Sequence, residues 1–313
     1  MTNNYNLPKA LVNALTNDTH RGGGDFSTTQ LLKSPREFWL TARHSHEIET
    51  DAIENMWALF GTASHNIAER GETADSLVEE FMKINIAGVT LTGIFDIFEN
   101  GVLWDYKTKS VNSLFFFDAQ AKATLTSQAN IYAYMARKLF ELDIKQLKDL
   151  FILRDWTRAK AQYNKDYPST QAQVVELPLF TEEQQKDLII QRIEWIMKFK
   201  DVPDELLPEC TKEYRWASPT VYKVYKGNNK TAVRGGANFS SCSEAKAFID
   251  ELDPTKKYRI EAIEGNNWRR CEYCSSRAFC NQTQMEEPEL RKEHKEIKVN
   301  MTYDELMREV KLW

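Results

Sequence analysis

The dipeptide Asn100-Gly101 constrains the fold of this chain more than any other feature. It lies within "TGIFDIFENGVLWDYKTKS", residues 92–110, between two largely apolar runs. Both central positions of a type I′ turn need positive φ, which Asn and Gly tolerate, so the pair predicts a two-residue hairpin. Strands are expected over residues 89–98 and 102–110. The turn would set Glu99 opposite Val102, Phe98 opposite Leu103, Ile97 opposite Trp104 and Asp96 opposite Asp105. Opposed residues of an antiparallel pair share a face, and Lys107, two residues beyond Asp105, shares it too. Phe95, Ile97, Trp104 and Tyr106 are expected on the other, apolar face. Two opposed carboxylates destabilise a strand pair unless something compensates. A divalent cation would do so, because carboxylate oxygens are the hard ligands that Mg²⁺ prefers. A solvated polar face with Lys107 as the counter-charge is the other reading.

A length of 313 residues leaves room for a sizeable core and a second module. A hydrophobic content of 42% with 28% charged residues belongs to a globular protein. No run approaches the length of a membrane-spanning helix, and the first residues lack the charged and apolar regions of a signal peptide. A cytoplasmic location is therefore expected, with no membrane partner. A net charge of −5 gives no global basic footprint, which argues against a sequence-independent DNA coat protein. It leaves a nuclease open, since only the groove of a nuclease must be basic.

The elements alternate as in an α/β protein. Residues 25–43 read as one capped helix with Ser27 or Thr28 near the N-cap. Residues 51–71 read as a second, with Ile53, Trp57, Phe60, Ser64 and Ile67 along its apolar stripe. A long helix is expected over residues 118–141, strands over 150–156 and 173–180, and an amphipathic helix over 181–199. Prolines and acids over residues 200–209 mark a boundary. A hairpin around Asn228-Asn229, a short helix over 241–252 and a strand over 257–265 follow.

The long helix carries Gln128 and Tyr132, four apart and so on one face. Leu125, Ala129, Tyr132 and Leu139 form its apolar stripe. A buried amide without partners costs about 1–3 kcal/mol, so Gln128 must be held there; taken alone, both residues also fit an ordinary core. His65 flanks the stripe of the preceding helix. It suits either a core-edge position or a ligand to Mn²⁺ or a similar metal. Arg154, Arg158 and Lys160, interleaved with Trp156, suit a single-stranded backbone groove or a solvated loop.

Five cysteines in a cytoplasmic chain are read for metal rather than disulfides. Cys271, Cys274 and Cys280 are spaced as thiolate ligands, and Cys210 is the best fourth for a tetrahedral site. Cys242 reads as a small buried hydrophobe.

The order His65, Asp96, Asp105-x-Lys107, Gln128-x-x-x-Tyr132 resembles the PD-(D/E)XK nuclease superfamily, in particular its RecB-like and phage-type exonuclease branch. The segments that carry it are "GTASHNIAERG", "LTGIFDIF", "LWDYKTKS" and "QANIYAYM". The resemblance implies a restriction-endonuclease-like core over residues 1–205, with a central mixed sheet flanked by helices. A small α+β cysteine-containing module would occupy 206–285, and a charged extension 286–313. It implies that Asp96, Asp105, His65 and the main-chain carbonyl of Tyr106 bind Mg²⁺ or Mn²⁺. Lys107 would orient or activate the attacking water, and Gln128 and Tyr132 would position the DNA strand and Lys107. Related nucleases place one cluster cysteine upstream of the core, where this chain has Ser34. The four cysteines Cys210, Cys271, Cys274 and Cys280 instead look like a phage-type variant, with zinc ahead of an iron–sulfur cluster. The implied activity is a metal-dependent DNA exonuclease of phage-type recombination or DNA processing. Its implied partners are DNA and a recombination protein, with oligomerisation open. An endonuclease or flap-type nuclease, or a non-catalytic DNA-binding descendant, are the alternatives. The presence of Asp96, Asp105 and Lys107 together favours catalysis.

Overall fold

The structure is a computed structural model. It describes residues 1–16, 23–57, 59, 61–63, 70–71, 73–115, 117, 119–265 and 268–283. The chain divides into two compact units, Met1–Leu207 and Pro208–Trp313. No helix among the described residues is long and apolar enough to cross a membrane.

In the first unit, helix α1 (Lys9–Thr16) precedes strand β1 (Phe26–Ser27), helix α2 (Thr28–Leu31) and helix α3 (Pro35–Arg43). The single helix expected over 25–43 is thus two. Ser27 closes a capping box on Gln30, and Ser34, followed by Pro35, caps the next helix by accepting from the Glu37 amide at 3.1 Å. A proline disfavours helical conformation in the residue before it, which divides the run. Strands β2 (Ser76–Ile86), β3 (Val89–Glu99) and β4 (Val102–Lys109) follow, then helices α4 (Val111–Phe115) and α5 (Ala119–Phe140). Strand β5 (Gln146–Leu153), helix α6 (Arg158–Tyr163), strand β6 (Ala172–Leu177) and helix α7 (Glu182–Met197) complete the unit. The architecture is α/β, a central mixed sheet flanked by helices. Strand β3 takes β2 antiparallel along one edge and β1 (parallel) and β4 (antiparallel) on the other. Beyond them β4–β5 is parallel and β5–β6 antiparallel.

Asn100 and Gly101 have φ of 50° and 79°, the positive values that a type I′ turn requires. The pairs Glu99↔Val102, Phe98↔Leu103 and Ile97↔Trp104 all form. There the expected register stops: Asp96 and Asp105 are not ladder partners. On the other edge the β2–β3 ladder also skips one position, Glu79 against Asp96, and Glu79 has φ of 53°. Side-chain alternation changes face across this point on both strands. Met82, Ile84, Leu91 and Phe95 on one side of it pack in the same core as Leu77 and Phe98 on the other. Phe95, expected on the face away from the charges, therefore packs edge-on against Phe140 of α5, centroids 6.2 Å apart.

Helix α5 is the main lid of this core, burying Ala129, Ile131, Tyr132, Ala133, Met135 and Ala136. Leu139, expected on its apolar stripe, is exposed, as are Ile53 and Trp57 of the expected second helix; Phe60, Ser64 and Ile67 lie outside the described residues. Asn130 is fully buried yet satisfied. Its amide donates to Thr126 O and Pro178 O, and its Oδ1 accepts from Phe180 N and Gln185 Nε2. These bonds fix α7 and its entry loop against α5.

In the second unit, strand β7 (Val221–Lys226) pairs antiparallel with β8 (Tyr258–Ile263), with helix α8 (Cys242–Asp250) between them. The hairpin expected around Asn228-Asn229 is replaced by this longer-range pairing. The segment after the turn meets β7 in isolated bridges, Tyr225↔Ala232 and Tyr222↔Phe239.

Candidate active site

Asp96, Asp105 and Lys107 do come together, by a route other than direct strand pairing. The Asp96 carboxylate reaches across the gap where the ladder ends and accepts the Tyr106 amide. A carboxylate that takes a main-chain N–H replaces the ladder bond which that amide would otherwise make, so the two strands part at this point. Asp96 and Asp105 are both buried. Lys107 Nζ lies 2.5 Å from Asp105 Oδ2 and donates to Gln128 Oε1 at 3.0 Å. Gln128 Nε2 in turn donates to Tyr132 Oη at 3.4 Å. A polar chain thus runs from β4 to α5 through four of the residues singled out in the sequence.

Gly93 makes this chain possible. A Cβ there would lie 2.7 Å from Thr28 Oγ1 and 2.9 Å from Tyr132 Cε1, so only a glycine lets the Tyr132 ring rest on β3. Burial, with the charges of Asp105 and Asp96, pushes the Tyr132 hydroxyl far above its ordinary pKa. Tyr132 is therefore a neutral donor or acceptor near pH 7.

Burial pulls the Lys107 ammonium down, but Asp105, Asp96 and Asp149 outweigh it, and its pKa stands above the ordinary value. Lys107 is a fixed cation in this state rather than a proton acceptor. Lys109, two residues on, goes the other way: burial and the neighbouring Lys107 lower it, with Arg154 adding to the effect.

Asp149 was not anticipated. It stands opposite Asp105 in the parallel β4–β5 ladder, so the two carboxylates share a face. It is 1% exposed, and its Oδ2 has no hydrogen-bond partner among the described residues. Burial, then the charge of Asp105, raises its pKa to about 7. The signal was present in the sequence. Leu147, Asp149, Phe151 and Leu153 alternate along β5 and all four are buried, so an acid stands in an apolar row.

The remaining candidates lie as follows. His65 is outside the described residues. Arg154 follows directly on β5: its amide donates to Lys109 O at 3.0 Å and its guanidinium lies 4.1 Å from the centroid of the Trp57 ring. Trp156 packs beside Phe151 and Leu153 and donates its indole N–H to Pro168 O at 2.8 Å, so its ring is an anchor rather than an open stacking face. Arg158 and Lys160 are exposed on α6, with Lys160 Nζ 5.8 Å from the Tyr167 ring.

All five cysteines are free thiols. Burial raises the Cys271 pKa; a bond with Thr283 opposes this, and Cys274 and Cys280 lie close enough to add to it. Gln282 holds the Cys210 backbone twice, accepting from its N at 2.9 Å and donating to its O at 3.1 Å. The peptide of Cys210 is thereby tied to the segment that carries Cys280. Among the described residues no three His, Cys, Asp or Glu side chains converge closely enough to hold a metal ion. By chemical type alone, carboxylate oxygens are ligands for Mg²⁺ or Mn²⁺ and thiolates for zinc or iron–sulfur. Buried Asp96, Asp105 and Asp149 act on the Lys107 ammonium, and in the second unit Cys274 and Cys280 lie near Cys271.

No protein-family profile matches the chain, and no curated protein sequence matches it. Among solved structures it is similar to one titled "Crystal structure of SSO0001", with 16% sequence identity and a TM-score of 0.41, over 62% of this chain and 87% of that one.

Proposed function

We propose that the first unit is a PD-(D/E)XK-type nuclease core, restriction-endonuclease-like in fold, and that the protein is a divalent-metal-dependent DNA exonuclease. The observation that carries this reading is the bonded chain Asp105–Lys107–Gln128–Tyr132, with Asp96 buried beside it. Residues from three separated sequence motifs meet there, in a pattern that ordinary core packing does not require.

Asp96, Asp105 and the Tyr106 carbonyl would hold Mg²⁺ or Mn²⁺, with His65 as a further ligand. Bound there, the ion supplies Lewis-acid stabilisation of the phosphoryl oxygens. The chain's own residues do the rest. Lys107, kept charged by its carboxylate neighbours, steadies the negative charge that builds on the phosphate and orients the attacking water. Gln128 fixes the ammonium by accepting a hydrogen bond from it, and Tyr132 fixes Gln128. Cys210, Cys271, Cys274 and Cys280 would hold a structural zinc or iron–sulfur cluster in the second unit.

The test is linear duplex DNA against covalently closed circular duplex at equal mass, in Mg²⁺, with an EDTA control. The expected result is degradation of the linear form alone. Cleavage of the circle at a matching rate would replace the exonuclease by an endonuclease, and no metal-dependent cleavage of either would reject the nuclease.

A further inference from the structure

The second unit carries an exposed aromatic pair that its own packing does not explain. Trp216 is 51% exposed and Tyr273 76% exposed, with ring centroids 6.3 Å apart. The Arg270 guanidinium lies 5.4 Å from the Trp216 ring and 4.3 Å from that of Tyr214, to whose hydroxyl it also donates at 3.1 Å. The backbone holds the arrangement, since Arg270 N donates to Arg215 O at 3.0 Å. Trp216 itself has φ of 56°. This left-handed conformation suits glycine and strains a residue with a bulky side chain. The turn around it closes through Trp216 N to Glu213 O and Ala217 N to Lys212 O. A strained tryptophan that leaves half its surface in water gains little from burial, and strain of this kind concentrates at ligand sites.

We propose that Trp216, Tyr273 and Arg270 form a platform that binds single-stranded DNA by stacking an unpaired base. Exposed aromatic rings with a guanidinium beside them accept any base face, whatever the sequence. The local charge agrees. The two segments that build the platform, residues 211–217 and 268–274, carry Lys212, Arg215, Arg269 and Arg270 against Glu213 and Glu272, in a chain whose net charge is −5. The choice of DNA as the occupant rests on the nuclease reading of the first unit.

The test uses the full chain and fluorescein-labelled oligo(dT) of twenty nucleotides, followed by anisotropy without added divalent metal, so that hydrolysis does not interfere. Trp216→Gly removes the ring and relieves the backbone strain; Tyr273→Ala removes the second ring from an unstrained backbone. Each should weaken binding about 5- to 100-fold, as loss of one base–aromatic stack does, with circular dichroism unchanged. Trp216→Phe should restore most of the affinity. Wild-type protein that ignores the oligonucleotide, ring-less variants that bind as wild type does, or a phenylalanine that fails to rescue would each overturn the platform. Mg²⁺-dependent cleavage is scored separately. A platform that fails in an active nuclease leaves the first unit's assignment standing, and a platform that binds in an inactive protein removes that assignment alone.

Discussion

Replacing Asp149 with asparagine should stabilise the metal-free protein, by an amount that depends on pH. The side chain is buried opposite Asp105 and ionises at about 7 in the fold, against an ordinary 3.8. Between those values the unfolded chain releases the proton and the folded one retains it, so wild-type stability falls as pH rises and levels off above about 7. Each pH unit in that window costs about 1.4 kcal/mol, which sets a ceiling of about 4 kcal/mol at pH 8. Relaxation and water entry reduce this to about 2–4 kcal/mol. Asparagine has the same shape and no charge to desolvate. Asp149→Asn should therefore match wild type near pH 4 and exceed it by about 2–4 kcal/mol at pH 8, or roughly 5–15 °C in melting temperature for a unit of this size. Urea and thermal melts from pH 4 to 8 in EDTA measure the difference. With Mg²⁺ added the gap should narrow, because a cation between Asp96 and Asp105 offsets the repulsion that Asp149 feels. A difference that is flat with pH, or a variant less stable than wild type at pH 8, would refute the reasoning.

Lys107→Met should lower the cleavage rate by at least about 100-fold, as removal of a positioned charge-stabilising donor does. In metal-free protein it should also cost about 2–3 kcal/mol, because Asp105 loses its buried partner; a wild-type rate in a folded variant would sink the assignment of Lys107. Gly93→Ala should destabilise by about 1–3 kcal/mol through overpacking against Tyr132 and Thr28, read as a lower urea midpoint with an unchanged slope. Elemental analysis of anaerobically purified protein should find about one zinc per chain, or iron with sulfide, since soft thiolates select these. Five freely titrating thiols with neither metal would reject the cluster at Cys210, Cys271, Cys274 and Cys280.

The sequence could be read wherever chemistry acts over a few residues. The Asn100-Gly101 turn, the N-cap at Ser27 and the Gln128/Tyr132 spacing all depend on near neighbours. It misled where a distant strand decides. β2 went unseen because its apolar residues change phase at Glu79, so Leu77 and Met82 do not fall on one alternating row although they share a core. The same phase change moved Phe95 off its expected face. The meeting of Asp96 with Asp105 and Lys107 was anticipated, but the means was not: the carboxylate captures the Tyr106 amide instead of lying across a regular rung. Asp149 required knowing that β5 lies parallel to β4 in the register that sets it beside Asp105. Trp57 falls on an apolar stripe yet is exposed, because periodicity marks an amphipathic pattern without showing what covers it.

The irregularity at Glu79 has a further effect, on solubility. β2 is an eleven-residue strand that pairs on one side only, with β3, among the described residues. A long, flat outer edge offers its unused N–H and C=O groups to any passing strand, and proteins blunt such edges with kinks and charges. The left-handed residue at position 79 divides this edge into a short and a longer piece whose side chains are out of phase. An intruding strand of ordinary regularity could match one piece or the other, but not both. The distortion that releases Asp96 from the ladder thus also guards the sheet against edge-to-edge association.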